Sequence, residues 1–251
     1  MSKSLKKILA IMIAMIASKS VLAAGSNWLI EEVGQVPVYK ENAENPWVNL
    51  VLFPGGKGWW GNLASQNFLI RQMSSLVNAG ANVYIFPNPS RKKISFKYRI
   101  SQEHAKRIEA LVRKISTRNE LPVILVGFSR GAVSVAKYET TYPGEIDGIA
   151  LLSAIYKSDI TRRNKFAMEA IIGSQIHSRL LVLHHEQDQC KVTWPSSAKK
   201  FFDTLEEGVK TLVFLSGGRP TGRQCGPLHF HGFQGVEKTA VKALIDWARV
   251  D

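Results

Sequence analysis

The sequence predicts an α/β protein built on one mostly parallel sheet with helices on both faces. Three observations carry this expectation. Short apolar, β-branched runs alternate with amphipathic stretches from residue 48 onward, the order that buries a parallel sheet between helices. No repeat, low-complexity tract or linker divides the chain, and 251 residues suffice for a single core. Near the middle, Leu121-Pro122-Val123-Ile124-Leu125 reads as a buried strand and Ala132 to Tyr142 as a helix closed by Pro143-Gly144, with Val126-Gly127-Phe128-Ser129-Arg130-Gly131 between them.

In chain order, Lys3, Lys6 and Lys7 precede an apolar run from Ile8 to Ala17 that is too short to span a bilayer. Val21-Leu22-Ala23 then offers a cleavage site after Ala23. Residues 1–23 are expected to be a signal peptide and residues 24–251 one exported domain, periplasmic or secreted. Trp28 to Lys40 is broken by Gly34 and Pro37 and suits an edge hairpin. Val48 to Phe53 is the first central strand and runs into the glycine-rich loop Pro54-Gly55-Gly56-Lys57-Gly58. Ser65 is placed to cap a helix through Val77, and Asn82 to Phe86 is the next strand. Ser101 and His104 to Ser116 read as an amphipathic helix whose Ile108, Leu111, Val112 and Ile115 share one face. Beyond the central serine, Ile146–Leu152 and Arg179–His185 read as strands, with one helix around Phe166–Ile172 between them. Pro195 opens a helix to about Glu207, Lys210–Leu215 is the last strand, and Val236–Val250 is a closing helix. The connection from Ser153 to Ser178 is too short for a large lid.

Loss of Lys3, Lys6, Lys7 and Lys19 with the signal lowers the formal net charge from +13 to +9. The clusters Arg91-Lys92-Lys93 and Arg162-Arg163-Lys165 lack the interleaved aromatics of a nucleic-acid module, so no nucleic-acid partner is expected. They read as solvated surface with a weak attraction to anionic envelope polymers. Two cysteines without further Cys/His spacing make no zinc site, and the glycine-rich loop lacks the Gly-Lys-Ser/Thr ending of a phosphate loop. No metal or organic cofactor is implied.

Gly127-Phe128-Ser129-Arg130-Gly131 at a strand-to-helix turn has the context of a nucleophile elbow. The turn is so tight that glycines must leave room, and the backbone N–H of Arg130 at the helix start faces a developing oxyanion. The second donor is expected from Gly56 or Lys57 in the loop after the first central strand. A serine nucleophile also needs a base and an orienting acid, and these sit just beyond the carboxyl ends of strands. Asp188 fits, three residues past His185; Asp159 is the rival, and Glu186 lies closer to the strand end. Among the six histidines, His104 lies near a helix start and His177 precedes a strand, while His184 and His185 point to opposite faces of one strand and read as packed. His229 and His231 remain, in a loop of about 20 residues of the kind that is usually functional. His231, followed by Gly232-Phe233 and nearer the closing helix, is favoured over His229. The order Ser129, Asp188, His231 follows.

Cys190 and Cys225 are an even pair in an exported domain, two residues after Asp188 and six before His231. They are expected to form a disulfide that ties the acid and base loops together. Trp59, Trp60 and Phe233 flank the same loops and either line a substrate pocket or pack beneath it.

The sequence also resembles the small, exported bacterial serine hydrolases of the α/β-hydrolase superfamily, of the dienelactone-hydrolase-like kind. Leu52-Phe53-Pro54-Gly55-Gly56, Val126-Gly127-Phe128-Ser129-Arg130-Gly131, His184-His185-Glu186-Gln187-Asp188-Gln189-Cys190 and His231-Gly232-Phe233 carry the resemblance across most of the mature chain. It implies Ser129 as nucleophile, Asp188 as acid and His231 as base. Phe128 departs from the Thr or His often found there, which bears on pocket shape. The expected activity is hydrolysis of a small-molecule carboxylic ester through an acyl-enzyme. The alternatives are a peptidase or amidase using the same groups, and a hydrolase fold kept for binding in the envelope.

Overall fold

Val48–Phe53 (β3) and Val123–Phe128 (β5) lie side by side and parallel at the centre of an eight-stranded sheet. The computed structural model describes residues 25–156, 165–208 and 210–249. The proposed signal peptide and the rival acid Asp159 lie outside them, as do Arg162 and Arg163. The other strands are Ser26–Trp28 (β1), Val38–Glu41 (β2), Ala81–Ile85 (β4), Gly148–Leu152 (β6), Arg179–His185 (β7) and Lys210–Leu215 (β8). Their spatial order is β1-β2-β4-β3-β5-β6-β7-β8. Pairing is parallel from β4 to β8 and antiparallel only at β1–β2 and β2–β4, so the predicted edge hairpin exists and spans a 3-10 turn at Glu31–Val33.

The helices are Phe68–Arg71 (α1), Met73–Asn78 (α2), Phe96–Arg99 (α3), Gln102–Ser116 (α4), Gly131–Thr141 (α5), Met168–Ile172 (α6), Pro195–Thr204 (α7) and Glu237–Ala248 (α8). Both faces of the sheet are covered. Val51 and Phe53 of β3 face one apolar cluster, which Ile108, Leu111, Val112 and Ile115 of α4 join with Tyr138 of α5 and Phe201 of α7. Leu50 and Leu52 face the opposite cluster, built with Phe68, Leu69 and Leu76 of α1 and α2 and Leu244 and Trp247 of α8. The period-2 alternation of β3 thus divides its side chains between two cores. Burying each large aliphatic side chain contributes about 1.5–3 kcal/mol relative to exposure.

Most predicted boundaries agree with the structure to within a few residues. Ser101 caps α4, its side chain accepting from the His104 N–H at 3.2 Å. The predicted helix from Ser65 to Val77 is corrected in two ways. Its cap is Asn67, whose side-chain oxygen accepts from Leu69 N–H at 3.1 Å, while Ser65 accepts from Asn67 N–H. The helix also breaks at Gln72, dividing α1 from α2. Among the described residues, no helix is long and apolar enough to cross a membrane.

Candidate active site

The turn between β5 and α5 is held by clearances that only glycine satisfies. A Cβ on Gly127 would stand 2.5 Å from the Cα of Ala132, where strand and helix nearly touch. A Cβ on Gly131 would stand 1.8 Å from the carbonyl oxygen of Phe53, so this glycine clears the neighbouring strand β3 rather than its own. Between them Ser129 takes φ 53°, a left-handed conformation costly for a residue with a side chain. The bond from its N–H to Leu152 O, 2.8 Å, anchors the turn to β6.

Ser129, Asp188 and His231 come from three separate loops beyond β5, β7 and β8, and they meet. Ser129 Oγ lies 3.1 Å from His231 Nε2, and His231 Nδ1 lies 2.9 Å from Asp188 Oδ2. His231 sits in a 3-10 turn, Phe230–Gly232, and both it and Asp188 are buried. With Nδ1 donating to the carboxylate, Nε2 is left to accept the serine proton, the tautomer a general base requires. The Asp188 carboxylate is fully engaged: its Oδ1 accepts from Cys190 N–H at 2.8 Å and its Oδ2 from Thr193 Oγ1 at 2.9 Å. Burial pushes its pKa up, but hydrogen bonds from His184 and His231 outweigh this and hold it well below the usual carboxylate range.

The glycine-rich loop packs directly on the elbow. A Cβ on Gly55 would lie 2.8 Å from Phe128 O and 2.9 Å from Ser129 Cβ, so the loop lies against the serine. Gly55 to Gly58 and Arg130 line one cleft of about 660 Å³ with Ser129 and His231. Gly56, at φ 60°, and Arg130, the residue that precedes the first turn of α5, both line this cleft with Ser129. Asn88 pins the loop, its side chain donating to Lys57 O at 3.0 Å and accepting from Trp59 N–H at 3.1 Å.

Cys190 and Cys225 form a disulfide with Cα atoms 4.5 Å apart, joining the loop that carries Asp188 to the one that carries His231, as expected. Both cysteines line the cleft. Trp60 lines it too, but Trp59 and Phe233 do not. Trp59 is buried with its indole N–H donating to Asn62 O at 3.1 Å. Phe233 is fully buried against Phe68, ring centroids 4.9 Å apart. Both are packing residues, taken into the apolar cluster beneath the loops. Phe128 supplies cleft surface instead.

His229 is buried beside Phe230, and Glu186 is exposed at the end of β7. His184 and His185 do point to opposite faces. His185 stacks on Phe230, while His184 places Nε2 2.7 Å from Thr193 O and 3.3 Å from Asp188 Oδ2. His184 and Thr193 are thus neighbours of the acid that sequence reasoning did not assign to the site. The one available signal for His184 was its spacing of four from Asp188 across a strand end.

No protein-family model matches this sequence and no curated protein matches it, so the likeness to known proteins is one of structure. A soluble variant of monoglyceride lipase from Saccharomyces cerevisiae is similar over 93% of this chain and 96% of its own, with 12% identity and a TM-score of 0.63. An esterase from Thermogutta terrifontis, phosphoramylated by tabun, is similar over 92% and 96%, with 11% identity and a TM-score of 0.64. An α/β serine hydrolase without a lid, from Xanthomonas campestris, is similar over 93% and 97%, with 15% identity and a TM-score of 0.60. With near-complete coverage in both directions, the chain has the α/β-hydrolase fold.

Proposed function

We propose that this protein is a serine hydrolase that cleaves carboxylic esters through an acyl-enzyme. One observation carries the reading: a strained serine at a strand-to-helix elbow, 3.1 Å from a histidine that is itself 2.9 Å from a buried carboxylate. In this reading His231 takes the proton of Ser129 as Oγ bonds to the ester carbonyl carbon. Asp188 holds the imidazole tautomer and stabilises the imidazolium. Backbone N–H groups of Gly56 and Arg130 receive the oxyanion. The carbon–oxygen bond to the alcohol then breaks and His231 returns the proton to the leaving oxygen. A water repeats the sequence on the acyl-enzyme, releasing the acid and restoring Ser129.

The esterase and lipase among the structural neighbours support the ester over the amide. The disulfide supports export, since such bonds persist in oxidising compartments. The test is labelling by a fluorophosphonate, followed by turnover of a panel of esters and peptides. Wild-type protein should be labelled at Ser129 and hydrolyse at least one ester, while Ser129→Ala should fold, resist the probe and lose several powers of ten in turnover. Equal labelling of the variant refutes the nucleophile.

A further inference from the structure

Trp60 stands between two cavities. It lines the cleft with Ser129 and His231, and it lines a second cavity of about 400 Å³ with Trp59, Asn62, Asn27 and Arg91. Both volumes lie in the range of about 300–1,000 Å³ that small-ligand sites occupy.

The walls of the second cavity come from three segments that the fold ties together. Asn88, buried after β4, accepts from Trp59 N–H at 3.1 Å and donates to Lys57 O and Lys92 O at 3.0 and 2.8 Å. It thereby fixes the loop that carries Trp60 to the one that carries Arg91. Pro89 O accepts from Gln35 N–H at 3.0 Å, which joins the hairpin to them, and Asn27 follows through the pairing of β1 with β2. The buried Trp59 indole holds the far side of the loop through Asn62 O. Trp60 is therefore braced on both sides, its place set before a ligand arrives.

The cavity's chemistry is mixed. Trp60 packs on the apolar cluster beneath it but is only half-buried, so ring surface stays open. Asn27, Asn62 and Arg91 are exposed; each amide carries a donor and an acceptor, and the guanidinium only donates. Asn62 Oδ1 accepts from Ala64 N–H at 3.0 Å, which leaves its amide nitrogen to a ligand. Among the described residues, no side-chain hydrogen bond engages Asn27, Trp60 or Arg91. Ring surface beside donors and acceptors matches a polyhydroxylated ring, whose C–H face is apolar and whose hydroxyls both donate and accept. A plain alkyl chain would desolvate the same polar groups and give them no partner.

Resting on the serine-hydrolase reading, we propose that the alcohol part of the ester is a sugar, lying over Trp60 with its hydroxyls at Asn27, Asn62 and Arg91 while the acyl group occupies the cleft. Ser129 Oγ bonds to the acyl carbon, the bond from that carbon to the sugar oxygen breaks, and His231 gives that oxygen its proton. Water then releases the acid from Ser129. No electron is transferred and water is the one co-reactant.

Butyryl esters of different alcohols test this: ethyl butyrate, hexyl butyrate, and the 6-O-butyryl esters of methyl glucoside, methyl galactoside and methyl N-acetylglucosaminide. At least one sugar ester should exceed both alkyl esters in kcat/KM by roughly tenfold. In Asn27→Leu and Arg91→Met the ratio of sugar-ester to ethyl-ester turnover should fall roughly three- to tenfold, and in Trp60→Ala by about tenfold or more. Reading the ratio within each variant cancels any general loss. No sugar ester preferred over both alkyl esters, or a preference untouched by all three substitutions, overturns the proposal. Fluorophosphonate labelling separates it from its foundation: no labelling of Ser129 sinks the hydrolase reading and this proposal with it, whereas labelling without a sugar preference sinks this one alone.

Discussion

His184 Nε2 lies 3.3 Å from Asp188 Oδ2, the oxygen that also receives His231. The same nitrogen is 2.7 Å from Thr193 O, a carbonyl that only accepts, so His184 carries its proton on Nε2 and spans both groups. It therefore steadies the same carboxylate oxygen that receives the base. His184→Gln can keep a donor near that position and should retain most activity. His184→Leu leaves Thr193 O without its donor and Asp188 with one fewer. A loss of about 1–3 kcal/mol in stability and of roughly tenfold in kcat is expected, with KM for a neutral ester little changed. Equal kinetics for the Gln and Leu variants would show that His184 only fills space.

The geometry ranks the two loop histidines. His231→Ala should approach the loss seen in Ser129→Ala, because groups acting as a unit fail together. His229 contacts neither Ser129 nor Asp188 through any hydrogen bond among the described residues, and its ring packs edge-on against Phe230. His229→Ala should cost stability but keep turnover within about tenfold, measured as kcat/KM beside a thermal melt. The reverse ranking would move the base to His229.

The pattern of what sequence could reach is physical. Ser129 and Asp188 were legible because each lies within three residues of a strand end, and His231 because it lies in the long loop after the last strand; a parallel sheet sends all such loops to one edge. Thr193 and Arg99 were not. Thr193 reaches Asp188 because its loop folds back on itself, which no periodicity records. Arg99 belongs to a four-residue helix too short to show one. Trp59 and Trp60 are adjacent, and only the core beneath, which takes Trp59, decides that Trp60 faces the cleft. The break at Gln72 is equally invisible, since Phe68–Asn78 keeps helical spacing on both sides of it.

The disulfide should matter more to activity than to folding. It closes 35 residues, for which chain entropy gives roughly 4 kcal/mol, and it sits between the acid and base loops. The Cys190 N–H also holds Asp188 Oδ1, so displacing Cys190 displaces the acid directly. Reduction is expected to lower turnover by roughly tenfold or more at temperatures where the far-UV circular dichroism is unchanged. Full activity with both thiols alkylated would remove the bond from any role at the site.

Stability should decline on acidification in two windows. Burial, with Arg99 and Arg107 adding to it, pushes the His104 imidazole well below its ordinary 6.5, and burial lowers His185 as well. The unfolded chain takes up these protons near pH 6.5 and the folded chain does not, so this contribution is complete above pH 6.5 and falls below it. His104 alone steepens the decline by about 1.4 kcal/mol per pH unit. Asp188, held low by its histidine partners against the effect of burial, contributes fully above the ordinary 3.8 and loses that contribution only as pH falls below it. Thermal midpoints across pH 4 to 8 should therefore drop from about pH 6.5, and His104→Gln should flatten the upper limb. A midpoint constant between pH 7 and 5 contradicts this.

Arg99 joins the two sides of the expected oxyanion hole. Its guanidinium is buried, donating to Ser134 Oγ of α5 at 2.9 Å and to Pro54 O at the start of the glycine-rich loop at 3.2 Å. Burial, with Arg130 adding to it, lowers its pKa to about 9. The fork therefore ties the helix that follows Arg130 to the loop that carries Gly56. Arg99→Lys keeps a cation but has no planar fork to bridge two acceptors. A shift of the loop by about 1 Å is enough to cost roughly a hundredfold in kcat. For Arg99→Lys we expect a loss of about ten- to a hundredfold in kcat, a KM for neutral ester within a few-fold of wild type, and a matching loss of affinity for a boronic acid that mimics the tetrahedral oxyanion. Arg99→Gln, which retains a side-chain donor, provides the comparison if the lysine variant folds poorly. A purely structural role would lower the melting temperature and leave the ratio of boronate affinity to KM where it was, and that result would take Arg99 out of the positioning of the oxyanion loop.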